Sequence, residues 1–289
     1  MKESSRIMRL FALLGFESLA WAFRRFHTPV PGDALVLEVG SGGNPYPRSN
    51  VLLDAYESTR ERHWAPLTSD RPTVLGFVEN LPFKDKSFDY VIASHVLEHS
   101  SDPEKFISEL QRVAKAGYIE VPDAFLERIN PYKDHRLEIT LRNGVLVITK
   151  KRSWIHDTEV VALYEDRVKN HLTKILIPKR PFDFHVRYYW SGEIQYLISN
   201  PQVDAAWEPP QSAVVPPSAG TLTVFKEAVR NTLRDFLSQK SRNTKIDVRP
   251  LLKCTKCHSD ALGEESSHMV CSACGAVYPI RAGIFVMNE

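Results

Sequence analysis

A chain of 289 residues, 43% hydrophobic and 25% charged, has material for one large domain and a small one, with the ordinary balance of a globular protein. Its net charge of +2 neither favours nor excludes an anionic partner. All four cysteines lie beyond residue 250, so no disulfide framework can organise the rest of the chain, and a reducing, cytoplasmic setting is expected.

In chain order, residues 4–26 read as one helix. Ile7, Leu10, Phe11, Leu14, Leu19, Trp21, Phe23 and Phe26 make a broad apolar face flanked by Arg6, Arg9, Arg24 and Arg25. The preferred reading packs this helix on the main domain, and the alternative is peripheral contact with a membrane surface. The apolar run 10–16 is too short to span a bilayer and lacks a small-residue cleavage site.

Next, residues 35–39 predict a buried strand that runs into Gly40, Gly42 and Gly43, and a second apolar run ends on Asp54. A glycine turn after a buried parallel strand lets the backbone approach a ligand, and a carboxylate at the tip of the next strand can accept bonds from two ribose hydroxyls. A nucleoside pocket is therefore expected. A dinucleotide is disfavoured, because the third glycine of G-x-G-x-x-G is missing and Pro45 and Pro47 forbid an immediate helix. Only seven residues separate Gly43 from Val51, so the first crossover helix is expected to be absent or reduced to a turn.

A third strand is predicted at 74–78, a loop at 81–87, a buried strand at 88–94, a helix at 104–114 capped by Asp102-Pro103, and a strand at 118–122. Strands alternating with helices or loops predict an α/β, Rossmann-like, mainly parallel sheet. Alternation over 137–150 around Asn143-Gly144 predicts a β-hairpin with a type I′ turn. Residues 153–200 are aromatic and histidine-rich and resist assignment. Five prolines over 201–217 read as a linker, and Leu222, Phe225, Val229, Leu233 and Phe236 as the stripe of a docking helix. The expected organisation is 1–30 amphipathic helix, 31–200 α/β domain, 201–245 linker and docking helix, and 246–289 cysteine module.

On these residues the run 35–122 resembles the class I S-adenosylmethionine-dependent methyltransferases, the type 11-like group. Three linked motifs carry the resemblance. They are the glycine turn, Leu81-Pro82-Phe83-Lys84-Asp85-Lys86-Ser87-Phe88-Asp89, and His95-Val96-Leu97-Glu98-His99 followed by a helix ending Arg112-Val113. The resemblance implies that Glu38, Gly40, Ser41 and Gly42 surround the methionine part of S-adenosylmethionine, that Asp54 holds the ribose, and that His95 forms a pocket wall. Members often place an acid two positions before Glu79, where this chain has Phe77, so adenine is expected on backbone groups near Val78 and Glu79. That departure and the short crossover keep a non-catalytic scaffold of the same fold open as an alternative. Glu98 and His99 read as helix-start structure, and Asp85 and Asp89 as a turn former and a strand-end cap.

The sulfonium methyl is already activated, so catalysis needs alignment and exclusion of water. A hydroxyl acceptor also needs a base, for which His135, His156 and His185 are the candidates, His135 in the cluster Asp134-His135-Arg136 just after the fifth-strand region being the best placed. The expected acceptor is an O or N atom of a small molecule, lipid or glycan-type compound, with RNA or protein as the alternative. Residues 127–190 carry 13 Lys/Arg against 8 Asp/Glu, which reads as a mixed solvated surface.

Cys254-x-x-Cys257 and Cys271-x-x-Cys274, thirteen residues apart, suit one structural Zn²⁺ on two knuckles with no open position for catalysis. His258 and His268 are then spare. The ending 277–285 resembles the small zinc-ribbon partner subunit of tRNA- and translation-factor-modifying methyltransferases, which implies a role in holding or covering the methyltransferase domain. With four Lys/Arg against five Asp/Glu over 246–289, the ribbon is a poor phosphate binder, and a nucleic-acid partner is not favoured.

Overall fold

The computed structural model describes residues 3–59, 66–129, 131–209, 232 and 237–288. The stripe expected at 222–236 and the end of the proline-rich segment lie outside them. The strands are β1 Val36–Val39, β2 Val51–Asp54, β3 Thr73–Leu75, β4 Tyr90–Ser94, β5 Ala116–Pro122, β6 Leu137–Arg142, β7 Val145–Lys150, β8 His185–Ser191, β9 Tyr196–Ile198, β10 Leu262–Glu265, β11 His268–Cys271, β12 Val277–Arg281 and β13 Ile284–Val286. The main helices are α1 Arg6–Leu13, α2 Glu17–Phe23, α3 Pro103–Val113, α4 Ala124–Ile129 and α5 Thr158–Leu163. None of the described helices is long and apolar enough to cross a membrane.

The chain forms two compact units. The first comprises residues 1–29, 93–106 and 117–211, and the second residues 30–92, 107–116 and 212–289.

In the second unit, β1, β2 and β3 are buried along their whole length, as parallel-sheet strands with both faces covered must be. β1 pairs in parallel with β2 and β2 with β3. No helix joins β1 to β2, as the short spacing predicts. Residues 40–50 cross over as a loop tied down by its own polar groups: Asn50 Oδ1 accepts the Val36 N–H at 3.0 Å, and the Arg71 guanidinium donates to the Ser49 carbonyl at 2.6 Å. Asn243, returning from beyond the linker, accepts from Asn50 Nδ2 at 2.8 Å in a buried contact. The cysteine module continues this sheet. β10, β11, β12 and β13 form an antiparallel meander, and β13 then pairs in parallel with β3, Phe285 beside Val74 and Val286 beside Leu75.

The first unit holds a second sheet. β6 and β7 pair antiparallel from Leu137–Lys150 to Arg142–Val145. The turn between them places Asn143 at φ 50° and Gly144 at φ 79°, the doubly left-handed backbone of the predicted type I′ turn. β9 joins β7 in parallel. In the region that resists assignment from sequence, an irregular helical run over 158–179 leads into β8. Tyr164, Leu172 and Phe184 bury a small core there with Leu126, Ile129 and Ile177.

Three boundaries differ from expectation. The N-terminal helix is broken into α1 and α2 because Gly15 takes φ 78°, a left-handed conformation that ends a helix. The third strand stops at Leu75, and Val78–Asn80 form a 3-10 turn instead. The fourth strand begins at Tyr90, because Phe88 makes only a single bridge, to Ala114.

Candidate functional site

The glycine turn lies in the second unit. Gly40 and Gly42 sit at φ 62° and 58°, where a β-carbon would be strained. The turn is pinned to β2: Gly42 N–H donates to Asp54 Oδ2 at 2.9 Å, Ser41 N–H to the Leu53 carbonyl at 3.1 Å, and Tyr56 N–H to Asp54 Oδ1 at 3.2 Å. The Ser41 hydroxyl is buried with no hydrogen-bond partner among the described residues, a state that costs about 1–3 kcal/mol unless a ligand supplies one. Glu38 turns inward, accepting the Tyr46 N–H at 2.8 Å and the Ser49 hydroxyl. Val78 is buried and Glu79 half-buried on the 3-10 turn.

Phe77 stands edge-to-face with Tyr56, ring centres 5.8 Å apart, and both rings are substantially exposed. Phe77 and Asn80 line a cleft of about 440 Å³ whose other wall is ribbon: Lys256, Val277, Tyr278 and Asn288. The ribbon also holds the Leu81-Pro82-Phe83 segment. Lys253 N–H donates to the Pro82 carbonyl at 3.0 Å, Lys84 N–H to the Leu251 carbonyl at 2.8 Å, and Phe83 bridges Leu252. Arg112 at the end of α3 donates to the Leu81 and Phe83 carbonyls at 2.9 and 2.6 Å and pairs with Glu109 and Asp85. Arg112 thus joins the L-P-F and R-V motifs in space. Its hydrogen bond holds the Asp85 pKa below the ordinary carboxylate value. Asp89 accepts the Leu35 N–H at 2.8 Å, as a strand-end cap should.

The four cysteine sulfurs lie within 4.8 Å of one another, with Cys254–Cys274 at 3.7 Å and Cys257–Cys271 at 3.6 Å. Four thiolates about 2.3 Å from one Zn²⁺ stand about 3.8 Å apart, so the cage fits a structural zinc. Tyr278 supports it from behind, its hydroxyl 3.1 Å from Cys254 Sγ while accepting the Thr255 N–H at 3.1 Å. His258 is exposed and His268 stands 4.0 Å from Glu265, so neither enters the cage.

In the first unit the carboxyl end of β4 carries a different constellation. His95, at φ 57°, places its ring between two carboxylates, 3.5 Å from Glu98 and 3.4 Å from Glu120. Burial opposes the imidazolium, but Glu120 and Glu98 overcome it and raise the His95 pKa to about 10. Glu120 also takes a bidentate bond from Arg24, Nε–Oε2 2.7 Å and Nη2–Oε1 2.8 Å, and one from the Tyr118 hydroxyl. Burial would push Glu120 up, yet His95 and Arg24 hold it well below the usual carboxylate range. Arg24 lies over the Trp21 ring at 3.6 Å, and Trp21 packs on His185 at 4.6 Å, so α2 is seated on this cluster.

Of the three candidate bases, His185 is 5.6 Å from His95 between ring centres, and burial lowers its pKa. His135 is buried with Nδ1 2.7 Å from Glu127 Oε1, and its ring meets His99 edge-to-face at 4.7 Å. His156 stacks on Trp154 at 4.2 Å. Glu120 and Tyr56 were not singled out from sequence, and Arg24 only as one of the arginines flanking the N-terminal apolar face. The one signal was a lone glutamate inside the apolar strand Tyr118-Ile119-Glu120-Val121.

Comparison with known proteins adds the family context. A family described as a methyltransferase domain matches residues 38–119, and one described as a zinc ribbon domain matches residues 251–280. An uncharacterized protein of Methanocaldococcus jannaschii is 49% identical over 81 residues, 28% of this chain and 40% of that protein. Norajmaline N-methyltransferase of Rauvolfia serpentina is 49% identical over 43 residues, 15% of each. The chain thus spans less than half the length of these relatives. Among solved structures, a chain of the complex containing the Haloferax volcanii Trm112 methyltransferase activator is similar at TM-score 0.37 and 15% identity, covering 64% of this chain and 93% of that one. An S-adenosylmethionine-dependent methyltransferase of Mesorhizobium loti is similar at TM-score 0.35 and 12% identity, covering 60% and 96%. The chain carries a methyltransferase domain of mostly parallel α/β fold, followed by a zinc ribbon domain with its four cysteines clustered.

Proposed function

We propose that this chain transfers a methyl group from S-adenosylmethionine to an oxygen or nitrogen of a small-molecule, lipid or glycan-type acceptor. The observation that carries the reading is the glycine turn locked onto Asp54 with the Ser41 hydroxyl buried and partnerless among the described residues. The bound donor supplies an activated methyl, so the protein's task is to hold and orient. Asp54 anchors the turn through the Gly42 and Tyr56 N–H groups, and a carboxylate at this strand tip is placed to accept from the ribose hydroxyls. Gly40 and Gly42 give the methionine end close approach, and Ser41 gains the hydrogen bond it lacks. In place of an acid, Tyr56 and Phe77 offer the adenine a paired aromatic surface, with backbone groups at Val78 and Glu79 for its edge. Glu38 shapes the loop through Tyr46 and Ser49.

For a hydroxyl acceptor, His185 is the candidate base, because burial keeps its imidazole neutral at physiological pH. His95, held cationic by two carboxylates, is a poor proton acceptor and supplies positive charge instead.

Calorimetric titration with S-adenosylmethionine and with its demethylated product tests the reading. Micromolar binding is expected in wild type. It should weaken by at least about tenfold in Asp54→Ala, the loss of one or two charge-assisted hydrogen bonds. Absence of heat with either ligand at two temperatures would overturn the enzyme reading in favour of a scaffold.

A further inference from the structure

Within the first unit, Glu98, His99 and His135 converge. We infer that they form a second metal site, for a divalent d-block cation, separate from the cysteine cage. One potential donor atom from each lies within 4.8 Å of the other two. Donors about 2.1 Å from one ion stand about 3.0–3.5 Å apart, so a contraction of at most about 1.8 Å from the 4.8 Å limit completes the triangle.

Three further observations point to a ligand. First, Glu98 is 2% exposed, and neither of its carboxylate oxygens has a hydrogen-bond partner among the described residues. Its one polar neighbour in ion-pair range among the described residues, His95, stands 3.5 Å from Oε1. The ion pair with His95 offsets part of the cost of burying this carboxylate, and a cation held by Oε2 would give the second oxygen the partner it lacks.

Second, both imidazoles are oriented from behind, as metal ligands are. His135 Nδ1 lies 2.7 Å from Glu127 Oε1, and Glu127 is in turn fixed by Lys151 Nζ at 2.8 Å. His99 Nδ1 lies 3.1 Å from the Asp134 carbonyl. Both partners accept hydrogen bonds, so in the neutral rings Nδ1 carries the proton and Nε2 the lone pair that binds metal.

Third, the backbone is braced to hold the two segments together. Arg136 N–H donates to the Glu98 carbonyl at 2.8 Å, and the Arg136 guanidinium to the His99 carbonyl at 3.2 Å. Two segments distant in the chain are thereby brought into register beside the end of β4. Two imidazoles and one carboxylate suit zinc, iron, cobalt or manganese in the divalent state, and three protein donors leave positions open for water or an exogenous oxygen ligand. On this inference Glu98 and His99 serve as more than helix-start structure, and His135 is a ligand and not a base.

The test uses the full chain loaded with one zinc in its cysteine cage, titrated with cobalt(II) in the absence of any methyl donor. One cobalt per chain is expected, with weak d–d bands of nitrogen and oxygen ligation and a rise in Tm. Glu98→Gln and His135→Asn should weaken binding by more than about a hundredfold, and Glu127→Gln, which removes only the outer partner, by about tenfold. The inference is overturned if wild type binds no cobalt below millimolar concentration. It is overturned equally if affinity is unchanged in both ligand variants, or if intense sulfur-to-cobalt charge-transfer bands show that the cysteines took the ion. The wild-type spectrum decides the question even where a variant fails to fold.

Discussion

Glu120 has no exposed side-chain surface and Arg24 only 11%, so their bidentate pair is a buried one. Removing one partner of such a pair leaves an uncompensated charge and typically costs about 3–5 kcal/mol. Arg24→Ala should therefore lower the stability of the first unit by about 3 kcal/mol, read as a fall in the denaturant midpoint. The pH dependence has a definite sign. Glu120 has its folded-state pKa depressed below 4.5, so its contribution is complete above that value and is lost as pH falls through the depressed one. Stability measured between pH 7 and 3 should fall more steeply in wild type than in Arg24→Ala. Equal slopes in the two proteins would show that Arg24 does not hold Glu120 ionised. Neither partner was legible beforehand, because they stand 96 positions apart and a single arginine on an amphipathic helix carries no mark of its partner.

At the scale of elements, what was legible is what is local. The glycine turn, the absent crossover helix, the Asn143-Gly144 hairpin and the two cysteine knuckles each follow from spacing within a short window. The break at Gly15 escaped because the apolar periodicity of the sequence continues through it, whereas in the fold Phe11 of α1 stacks on Phe23 of α2 at 5.4 Å. The seam between β13 and β3 escaped for another reason: an edge strand carries no signal for its distant neighbour. That seam makes a prediction. Met287 N–H donates to the Leu75 carbonyl at 2.7 Å, one rung past the Val286–Leu75 pair. Met287→Pro removes this donor and should cost about 3 kcal/mol. Amide exchange at residues 73–75 should accelerate while β10 and β11 stay protected by the zinc knuckles. Unaltered exchange at β3 would mean that the seam does not stabilise the sheet.

For the molecule as a whole, the ribbon is tied to the methyltransferase sheet at several points within the second unit. Besides the seam, residues 251–253 hold the Leu81-Pro82-Phe83 segment, Asn80 Nδ2 donates to the Thr255 carbonyl at 3.0 Å, and the cleft beside Phe77 is walled by Lys256 and Val277. A four-thiolate zinc is expected to contribute on the order of 10 kcal/mol to so small a module. Chelation should then do more than unravel residues 254–274. It should release β13 from β3 and loosen the Phe77 turn, lowering the Tm of the second unit and its affinity for S-adenosylmethionine together, both restored by zinc. Tyr278→Phe is the graded version: loss of the hydroxyl behind Cys254 should speed zinc transfer to a chelator by about tenfold while cofactor affinity in the zinc-loaded state stays near wild type. If the zinc-free chain binds S-adenosylmethionine as tightly as the loaded one, the ribbon is an appendage that shares a sheet edge without supporting the site.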